Sequence, residues 1–280
     1  MSTNSLPKSE EPNPVTTHKV HLTGEKATLL IPLYAKALDS RSKHSILHDE
    51  KADEIVKMID YDFKKLRHFG NGNVTVVRAK QLDEWVKEFL KLNPNAVVLN
   101  LGCGLDTRIS RINPPSTISW FDVDFPEVIE ERQNFYSNRD GYQMIASSVT
   151  ASEWLEKIPK NKPVIIIADG VFEYLTEAEV KGLLNRITNY FPSGQVAFDV
   201  MNSYAIKMGK ARLQKTTGGE HKWAVDDVNK VDTLNPKLKR IASLPLLQSK
   251  YLPLQYRFLF AIAYISPRYR NMIRLLRFEF

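Results

Sequence analysis

The stretch VVLNLGCGLDT, at residues 97–107, decides the fold of this chain. Its first five residues are apolar except for Asn100, which predicts a buried strand. The two glycines that follow, Gly102 and Gly104, predict a turn in which the backbone reaches positive φ and a ligand can approach the main chain. In α/β proteins, a glycine turn between a strand and a helix holds nucleotide-like ligands at the carboxyl ends of the strands. Taken alone, the stretch is also consistent with a tight turn that binds nothing.

Strands and helices alternate downstream of this loop. Short apolar runs predict buried strands at residues 96–101, 118–124, 143–146, 164–168 and 195–199. Helical spacing of apolar residues occupies intervals between them, at residues 126–136 and 176–190. Because strands that alternate with helices form parallel sheets covered on both faces, the pattern predicts a doubly wound α/β fold.

The two flanks of this core have different patterns. Upstream, helical periodicity runs through residues 23–69 and 75–92, with a turn cluster at residues 70–73 between them. Downstream, residues 203–232 are polar and predict an insertion or a cap. Apolar runs then return at residues 238–247, 258–265 and 272–280.

Composition excludes several classes of protein. The 280 residues contain no run of the roughly 18 apolar residues that a membrane helix needs. Residues 1–17 lack the apolar core of a secretory signal. Cys103 is the single cysteine, so no internal disulfide can form, and we expect a reducing compartment, the cytoplasm.

The net charge of +7 has its excess mainly near the C-terminus. The arginines concerned are Arg257, Arg268, Arg270, Arg274 and Arg277. Such a cluster can bind nucleic acid or a membrane surface, or it can be a solvated face that attracts an anionic substrate. No nucleic-acid-binding motif interleaves these arginines, so we expect neither a nucleic-acid partner nor a membrane partner.

The glycine loop is compatible with two cofactors. A dinucleotide site has the pattern G-x-G-x-x-G or A, and the last position of that pattern is Thr107 here. S-adenosylmethionine carries no phosphate, so the shorter G-x-G turn is enough for it. Thr107 therefore favours S-adenosylmethionine over a nicotinamide dinucleotide.

Acidic residues end two of the predicted strands. Asp122 and Asp124 follow the glycines by about 20 residues, where a carboxylate accepts hydrogen bonds from ribose hydroxyls. Both side chains share a face of the strand, and either could instead cap the helix that begins near Pro126. Asp124, at the strand terminus, is the better ligand. Asp169 ends a wholly apolar strand, where it either caps the local backbone or attracts the sulfonium or amino group of the cofactor.

The motifs follow a definite order along the chain. They are TLLIPLYA (28–35), VRAK (77–80) with Leu82 and Asp83, LGCGLDTR (101–108), DVDFP (122–126) and ADGVFEYL (168–175). This set resembles the leucine carboxyl methyltransferase family, and it is most similar to the bacterial branch of that family. The resemblance spans residues 22–280.

The resemblance implies a class I S-adenosylmethionine-dependent methyltransferase fold, which is Rossmann-like. Such a fold has a seven-stranded, mostly parallel sheet whose last strand is antiparallel, with helices on both faces and an N-terminal helical cap. We expect a disordered N-terminal arm at residues 1–22 and a single domain at residues 23–280. Within that domain, residues 23–92 would form the helical cap and lead-in, 93–202 the cofactor-binding core, and 203–280 the insertion and C-terminal strands.

The strand ends and the resemblance together predict a cofactor site. Its residues are Arg78, Gly102, Cys103, Gly104, Asp122, Asp124, Ser148, Val149 and Asp169. The resemblance implies that Arg78 pairs with the methionine carboxylate, that the glycine turn supports the backbone approach, and that Asp124 holds the ribose. Ser148 and Val149 would flank the adenine, and Asp169 would lie beside the methionine portion. Two positions depart from the family: Ser148 stands where an acidic residue is common, and Asp169 where Glu is common.

The predicted activity is transfer of a methyl group from S-adenosylmethionine to a carboxyl or hydroxyl oxygen of a small molecule, polyketide-like or another metabolite. The alternatives are a nicotinamide-dependent reductase on a Rossmann-like fold and a non-catalytic methyltransferase-fold binding module. A carboxylate acceptor needs no base, whereas a hydroxyl needs proton removal. The sequence leaves that base unassigned and predicts neither a metal site nor an oligomeric state. The candidates are Tyr34, His44, His48, Tyr204 and His221.

Overall fold

A seven-stranded sheet lies at the centre of the computed structural model, which describes residues 17–20, 25–66, 72–254, 256–257 and 266–280. Its strands are β1 (Val97–Leu101), β2 (Ser119–Asp124), β3 (Tyr142–Ala146), β4 (Val164–Ala168), β5 (Gly194–Met201), β6 (Lys239–Pro245) and β7 (Ile273–Glu279). The strand order is β3-β2-β1-β4-β5-β7-β6. Strands β1 to β5 pair in parallel, and β7 is antiparallel to both of its neighbours. The sheet predicted from the resemblance is therefore confirmed.

The central strands are buried on both faces of the sheet. Every residue of β1 and β4 is buried. Successive residues of β1 point to opposite faces, so Val97 and Leu99 enter one core and Val98 enters another. Burial on both faces is why these strands appear in the sequence as continuous apolar runs instead of an alternating pattern.

Helices cover the sheet on both sides. The α-helices of the described residues are α1 (Leu30–Ser40), α2 (Glu50–Met58), α3 (Gly72–Leu92), α4 (Arg108–Ile112), α5 (Pro126–Gln133), α6 (Glu177–Tyr190), α7 (Ser203–Thr217), α8 (Asn229–Asp232) and α9 (Pro267–Arg270). Leu82 of α3 packs in the core that contains Val98, whereas Leu183 of α6 packs in the opposite core. None of the helices within the described ranges is long and apolar enough to cross a membrane.

Helix boundaries follow local capping signals. Helix α6 begins after Thr176, whose hydroxyl accepts from the backbone of Glu179 while the Glu179 carboxylate accepts from the backbone of Thr176. Helix α3 begins at Gly72, inside the predicted turn cluster, and α5 ends at Gln133, three residues before the predicted end. Helix ends are the least certain part of a pattern, because the apolar spacing continues past the last hydrogen-bonded turn.

The N-terminal cap rests on the glycine loop. It comprises α1 and α2 with short 3₁₀ turns before and after them. Leu33 of α1 and Ile55 of α2 are buried in one core. That core also contains Leu105 of the glycine loop and Val128 of α5. The predicted helical cap is therefore present, and it packs directly against the predicted ligand loop.

The segment between β5 and β6 returns to the carboxyl edge of the sheet after α7. The backbone N–H of Lys222 donates to the carbonyl of Glu173 at 2.7 Å, and that of Val225 donates to the carbonyl of Met201 at 2.8 Å. These bonds place residues 221–225 beside the ends of β4 and β5. The segment at residues 203–232, predicted as an insertion or a cap, thus has a defined contact with the core.

Most of the predicted arm at residues 1–22 lies outside the described residues, as does the predicted apolar run at 258–265. The described part of the arm, residues 17–20, contacts the cap. The backbone N–H of His18 donates to the carbonyl of Met58 at 2.7 Å, and Val20 packs against the cap core. Residues 17–20, which composition assigns to the disordered arm, are therefore held against the cap by these contacts.

Candidate active site

A cavity of about 600 Å³ opens at the carboxyl edge of the parallel strands. Because the strand order is β3-β2-β1-β4-β5, residues that follow these strands line the cavity in a row. In that order they include Ser148, Asp124, Gly102, Asp169 and Met201. The volume is in the range of pockets that hold drug-sized ligands. Residues predicted from separate strand ends thus meet in one cavity.

The glycine loop has the backbone conformation that its sequence predicts. Gly102 has φ of +60° and Gly104 has φ of +49°. A Cβ on Gly102 would lie 2.5 Å from a methyl carbon of Val171, and a Cβ on Gly104 would lie 3.2 Å from Leu29. Side chains at these positions would strain the backbone and fill the space beside the loop. The loop therefore provides a cradle in which a ligand can touch the main chain.

Substituting Gly102 with alanine is expected to destabilise the protein by about 1–2 kcal/mol, the usual penalty for a Cβ in the left-handed region, and to weaken cofactor binding. Gly182→Ala is a matched control, because its Cβ in α6 meets only Arg186 at 3.5 Å and φ is not positive. That control is expected to gain about 0.5–1 kcal/mol from helix propensity. Chemical denaturation and calorimetric titration measure both effects. Equal behaviour of the two variants would contradict the role of the loop.

Asp124 faces the cavity with both carboxylate oxygens anchored. One accepts the backbone N–H of Gly104 at 2.7 Å, and the other accepts the backbone N–H of Phe125 at 2.8 Å. Burial raises the pKa of Asp124 to about 6. Each oxygen keeps a lone pair beyond the bond it makes, so the carboxylate can accept ribose hydroxyls. The geometry fits the role that the sequence predicts.

Asp122, predicted beside it, does not reach the cavity. Its side chain has no exposed surface and accepts four hydrogen bonds from protein donors. The donors are Asn100, Trp120, Arg132 and Tyr142. Arg132 in turn donates to the carbonyls of Gly104 and Asp106 in the glycine loop, at 3.0 and 2.7 Å. The structure therefore gives Asp122 a different role from the predicted one: it holds the arginine that holds the loop.

Arg78 and Asp169 line the cavity as an ion pair. The Arg78 Nε lies 2.5 Å from Asp169 Oδ1, and its Nη1 donates to Asp199 Oδ2 at 2.8 Å. Burial opposes ionisation of Asp169, but the guanidiniums of Arg78 and Arg108 hold its pKa below the usual value. Asp169 is therefore an ionised carboxylate that is already paired. Asp199, buried within β5 near its carboxyl end, also accepts the backbone N–H of Gly170 at 2.7 Å.

The structure contains a buried ionic network behind the glycine loop that the sequence did not predict. Arg108 has no exposed surface and pairs with Asp83, Asp106 and Asp169 at 2.8, 2.9 and 2.8 Å. Lys36, from α1 of the cap, also pairs with Asp106. The network therefore connects the cap to the loop and to β4. Apart from Asp106 and Arg108, its partners lie far apart in the chain, so sequence spacing does not indicate them.

The remaining predicted cofactor residues also line the cavity. Ser148 shares a hydrogen bond of 2.8 Å with the hydroxyl of Thr150, and Val149 is buried beside it. Cys103 is buried within the loop, and burial raises the pKa of its thiol well above the usual value. A neutral thiol is a poor nucleophile, which agrees with a packing role.

Glu173 and Tyr174 form the cavity wall after β4 and were not predicted as site residues. Glu173 is buried, and burial, followed by the charge of Asp199, raises its pKa to about 8. Its carboxyl is therefore protonated at neutral pH. Within the described residues its Oε2 has no hydrogen-bond partner. The motif ADGVFEYL contains both residues, but no pattern indicates that the acid is buried.

The structure separates the five candidate bases. Tyr34, His44, His48 and Tyr204 are not among the residues that line the cavity. His221 lines it, and its ring packs against Tyr174 with centroids 5.1 Å apart.

Solved structures share this fold. A Thermobifida fusca protein assigned to the methyltransferases superposes with a TM-score of 0.62 at 13% identity, over 92% of this chain and 94% of that chain. A DUF574 family protein from Streptomyces avermitilis superposes with a TM-score of 0.60 at 10% identity, over 92% and 97%. The chain therefore has the fold of the class I S-adenosylmethionine-dependent methyltransferases.

The sequence comparison identifies the family. The leucine carboxyl methyltransferase model matches residues 29–188, and the chain belongs to that family. Tetracenomycin polyketide synthesis O-methyltransferase TcmP of Streptomyces glaucescens is 38% identical over 267 residues, which cover 93% of this chain and 98% of TcmP. The S-adenosyl-L-methionine-dependent methyltransferase dpfgK of Gibberella zeae is 30% identical over 79% of this chain and 82% of that protein. The predicted family, cofactor and O-methyltransferase activity are confirmed.

Proposed function

We propose that this chain methylates an oxygen of a polyketide-like small molecule, with S-adenosylmethionine held along the carboxyl edge of the sheet. The cofactor supplies a methyl group already activated on a sulfonium. The observation that carries the proposal is that the ends of β1 to β5 line one and the same cavity. In-line transfer from a sulfonium depends mainly on alignment and exclusion of water, and a cavity beneath a helical cap supports both.

The proposed cofactor residues fit the parts of S-adenosylmethionine in strand order. Ser148 and Val149, after β3, would flank the adenine, and Asp124, after β2, would accept the ribose hydroxyls. The main-chain atoms of the turn from Gly102 to Gly104 would contact the ligand directly. The absence of a Cβ at Gly102 supports this placement, because that atom would fill the cradle beside Val171.

Arg78 would bind the methionine carboxylate. Asp169 and Asp199 engage its Nε and Nη1, so these two acids fix the guanidinium plane. Its Nη2 lies beside Gly170, 2.9 Å from the position that a Cβ would take there. A planar guanidinium held in this way can still present donors to a carboxylate. Asp169 would then act near the methionine portion as part of the pair instead of as a free carboxylate.

The acceptor would be apolar over most of its surface. The cavity wall beyond the cofactor residues includes Leu29 and Pro32 from the cap, Leu175 after β4, and Ala205 and Leu213 from α7. The name of TcmP records a polyketide pathway, and a polycyclic polyketide presents such a surface. The acceptor oxygen, carboxyl or hydroxyl, would be the polar part directed at the methyl group.

The proposed catalytic unit is a single domain at residues 23–280 in the cytoplasm. The sheet uses strands from residue 97 to residue 279, and the cap core includes residues of the glycine loop, which supports one unit. The single cysteine supports a reducing compartment. We propose a small-molecule acceptor and no nucleic-acid partner.

Calorimetric titration tests the cofactor site. S-adenosylmethionine and S-adenosylhomocysteine are expected to bind, and NADH is not. Affinity is expected to be constant above neutral pH and to fall below pH 6 by up to about tenfold per pH unit, because protonated Asp124 accepts hydroxyl donors poorly. Asp124→Asn is expected to weaken binding at neutral pH by about 1–3 kcal/mol and to remove this pH dependence.

Asp140→Asn, at an exposed position, is the matched control and should titrate like the wild-type protein. If folded protein binds neither S-adenosylmethionine nor its product, the proposed site is wrong. If Asp124→Asn keeps the wild-type affinity and pH profile, the ribose is held elsewhere.

A further inference from the structure

The cavity continues past the proposed cofactor residues toward β5. In the strand order β1-β4-β5, the segment after β4 and the start of α7 lie beyond Gly102, on the side opposite Ser148. We call this part of the cavity the acceptor end. Its lining residues include Glu173, Leu175, Met201, Leu213, His221 and Lys222. Most of this wall is apolar, so the few charged groups in it decide which acceptors it takes.

Lys222 lines the acceptor end from a fixed stretch of backbone. Its N–H donates to the carbonyl of Glu173 at 2.7 Å, and the N–H of Trp223 donates to the same carbonyl at 3.3 Å. The ring of His221, before it in the chain, packs on Tyr174, and the Trp223 side chain is buried in a core. The residues on both sides of Lys222 are therefore anchored, whereas its own side chain is exposed where the cavity meets solvent.

Lys222 differs from the other cations that line the cavity, because it has no ion pair within the described residues. Each of the others is paired with at least one carboxylate; they are Lys26, Lys36 and Arg78. Lys26 also lies over the ring of Phe125, which follows β2 on the cofactor side of the cavity. At the acceptor end, the ammonium of Lys222 is the described cation that can receive an incoming anion.

The titratable groups around Lys222 leave that cation available. Burial, followed by the charge of Asp199, raises the pKa of Glu173 to about 8, so this carboxyl is neutral at neutral pH and does not repel an anion. The Glu179 carboxylate accepts the backbone N–H and the hydroxyl of Thr176, at 2.7 and 2.8 Å. These bonds lower the pKa of Glu179, and the charge of Lys222 lowers it further without an ion pair. Burial lowers the pKa of His221, so the imidazole adds no second cation at neutral pH.

We propose that Lys222 is a specificity-determining residue, which pairs with a carboxylate of the acceptor and positions it at the acceptor end. The proposal rests on the proposed O-methyl transfer in this cavity. A carboxylate that enters an apolar cavity needs a cationic partner, and leucine walls such as Leu175 and Leu213 supply none. A lysine carries its charge on a long flexible stem, so it can follow an acceptor into the cavity.

Lys222 would act on acceptor binding and not on the chemical step. One carboxylate oxygen forms the new bond to the methyl carbon, and the electron pair of the broken carbon–sulfur bond stays on sulfur. No proton moves, and the carboxylate becomes a neutral ester. The ion pair with Lys222 is therefore strongest before transfer and is lost with it. Such a contact lowers KM for the acceptor without raising kcat, and it favours release of the ester.

The first test measures acceptor binding to the full chain loaded with S-adenosylhomocysteine. The probes are 2-naphthoic acid, which is ionised at neutral pH, and 2-naphthamide, which has a similar shape and no charge. Calorimetry is expected to show that the wild-type protein binds the acid roughly tenfold or more tightly, the usual effect of a hydrogen bond to a charged group. Lys222→Gln is expected to lose this preference and Lys222→Arg to keep it. Lys207→Gln, at an exposed position of α7 outside the cavity, removes the same charge and is the control.

The second test measures methylation of 2-naphthoic acid by the same variants. Lys222→Gln is expected to raise KM for the acid by roughly tenfold or more without lowering kcat, and Lys222→Arg to restore KM. A fall in kcat at unchanged KM would place Lys222 in the chemical step instead. If the wild-type protein binds the acid and does not methylate it, the carboxylate acceptor is wrong.

Binding of S-adenosylhomocysteine separates a failure of this proposal from a failure of the cofactor site. All variants are expected to bind it like the wild-type protein, because Lys222 is not a proposed cofactor residue. If the wild-type protein does not bind it, the proposed function fails, and the role of Lys222 falls with it. If the loaded wild-type protein binds both probes equally, or neither, Lys222 does not select the acceptor. A wild-type preference for the acid in Lys222→Gln would lead to the same conclusion.

Discussion

Replacing Asp122 with alanine is expected to lower the free energy of unfolding by about 3–5 kcal/mol, the usual effect of leaving a buried charge without its partner. Asp122 and Arg132 have no exposed surface, and Asp122 Oδ2 lies 2.5 Å from Arg132 Nη2. In the variant the guanidinium would remain buried, and the side chains of Asn100, Trp120 and Tyr142 would each lose a partner. Arg132 would also lose its fixed position under the glycine loop.

Urea denaturation followed by tryptophan fluorescence measures the effect. Asp124→Ala is the informative comparison, because Asp124 ends the same strand but faces the cavity. It is expected to lose cofactor affinity with a smaller change in stability. Asp122→Asn, which keeps the shape and one acceptor oxygen, should fall between wild type and Asp122→Ala and gives a measurement if the alanine variant does not fold. A stable Asp122→Ala variant that fails only in cofactor binding would restore Asp122 as a cofactor ligand.

The sheet could be predicted because its signals are local. Each parallel strand is a short apolar run, since both faces are covered, and the run ends where the chain leaves the sheet. The glycine turn after β1 and the capping box at Thr176 are local signals as well, because each can be recognised from a few neighbouring residues. The last two strands were indicated only as apolar runs. Strand β7 pairs with β5 residues that lie about 80 positions away in the chain, and β6 pairs with β7.

The two aspartates of β2 show where sequence reasoning stops. Asp122 and Asp124 share a face, so alternation cannot separate them. In β2, Asp122 pairs with Asn100 on one side and Met144 on the other, and its carboxylate binds Arg132. Asp124 pairs on one side, with Ala146 of β3. Asp124 is the last residue of the strand, so its carboxylate reaches the edge. Only the packing of α5 on the sheet reveals this distinction.

Asp199 could have been found from the sequence, whereas Glu173 could not. Asp199 is the last residue of the predicted strand at residues 195–199. An acidic residue at the end of a predicted strand is the criterion that singled out Asp124 and Asp169, and Asp199 meets it as well. Glu173 lies in a short 3₁₀ turn after β4. Residues 222 and 223, which come after β5 in the chain, lie beside it and donate to its backbone carbonyl. Contacts of this kind have no periodic signature.

The buried carboxyl of Glu173 is expected to make the protein less stable as the pH rises. The pKa of Glu173 is about 8 in the folded protein, against 4.5 for an ordinary glutamate. Between these values the unfolded chain releases the proton and the folded protein keeps it. The stability from this group is therefore full below about pH 4.5 and is lost as the pH rises toward 8. The loss is on the order of 5 kcal/mol, since each unit of pKa shift corresponds to about 1.4 kcal/mol.

Glu173→Gln should remove this loss, because an amide does not titrate. Urea denaturation at pH 5, 7 and 8.5 is expected to show a gap between the variant and wild type that widens with pH in favour of the variant. Glu130→Gln, at an exposed position of α5, is the matched control and should follow the wild-type profile. A Glu173→Gln profile parallel to that of wild type would show that Glu173 ionises normally.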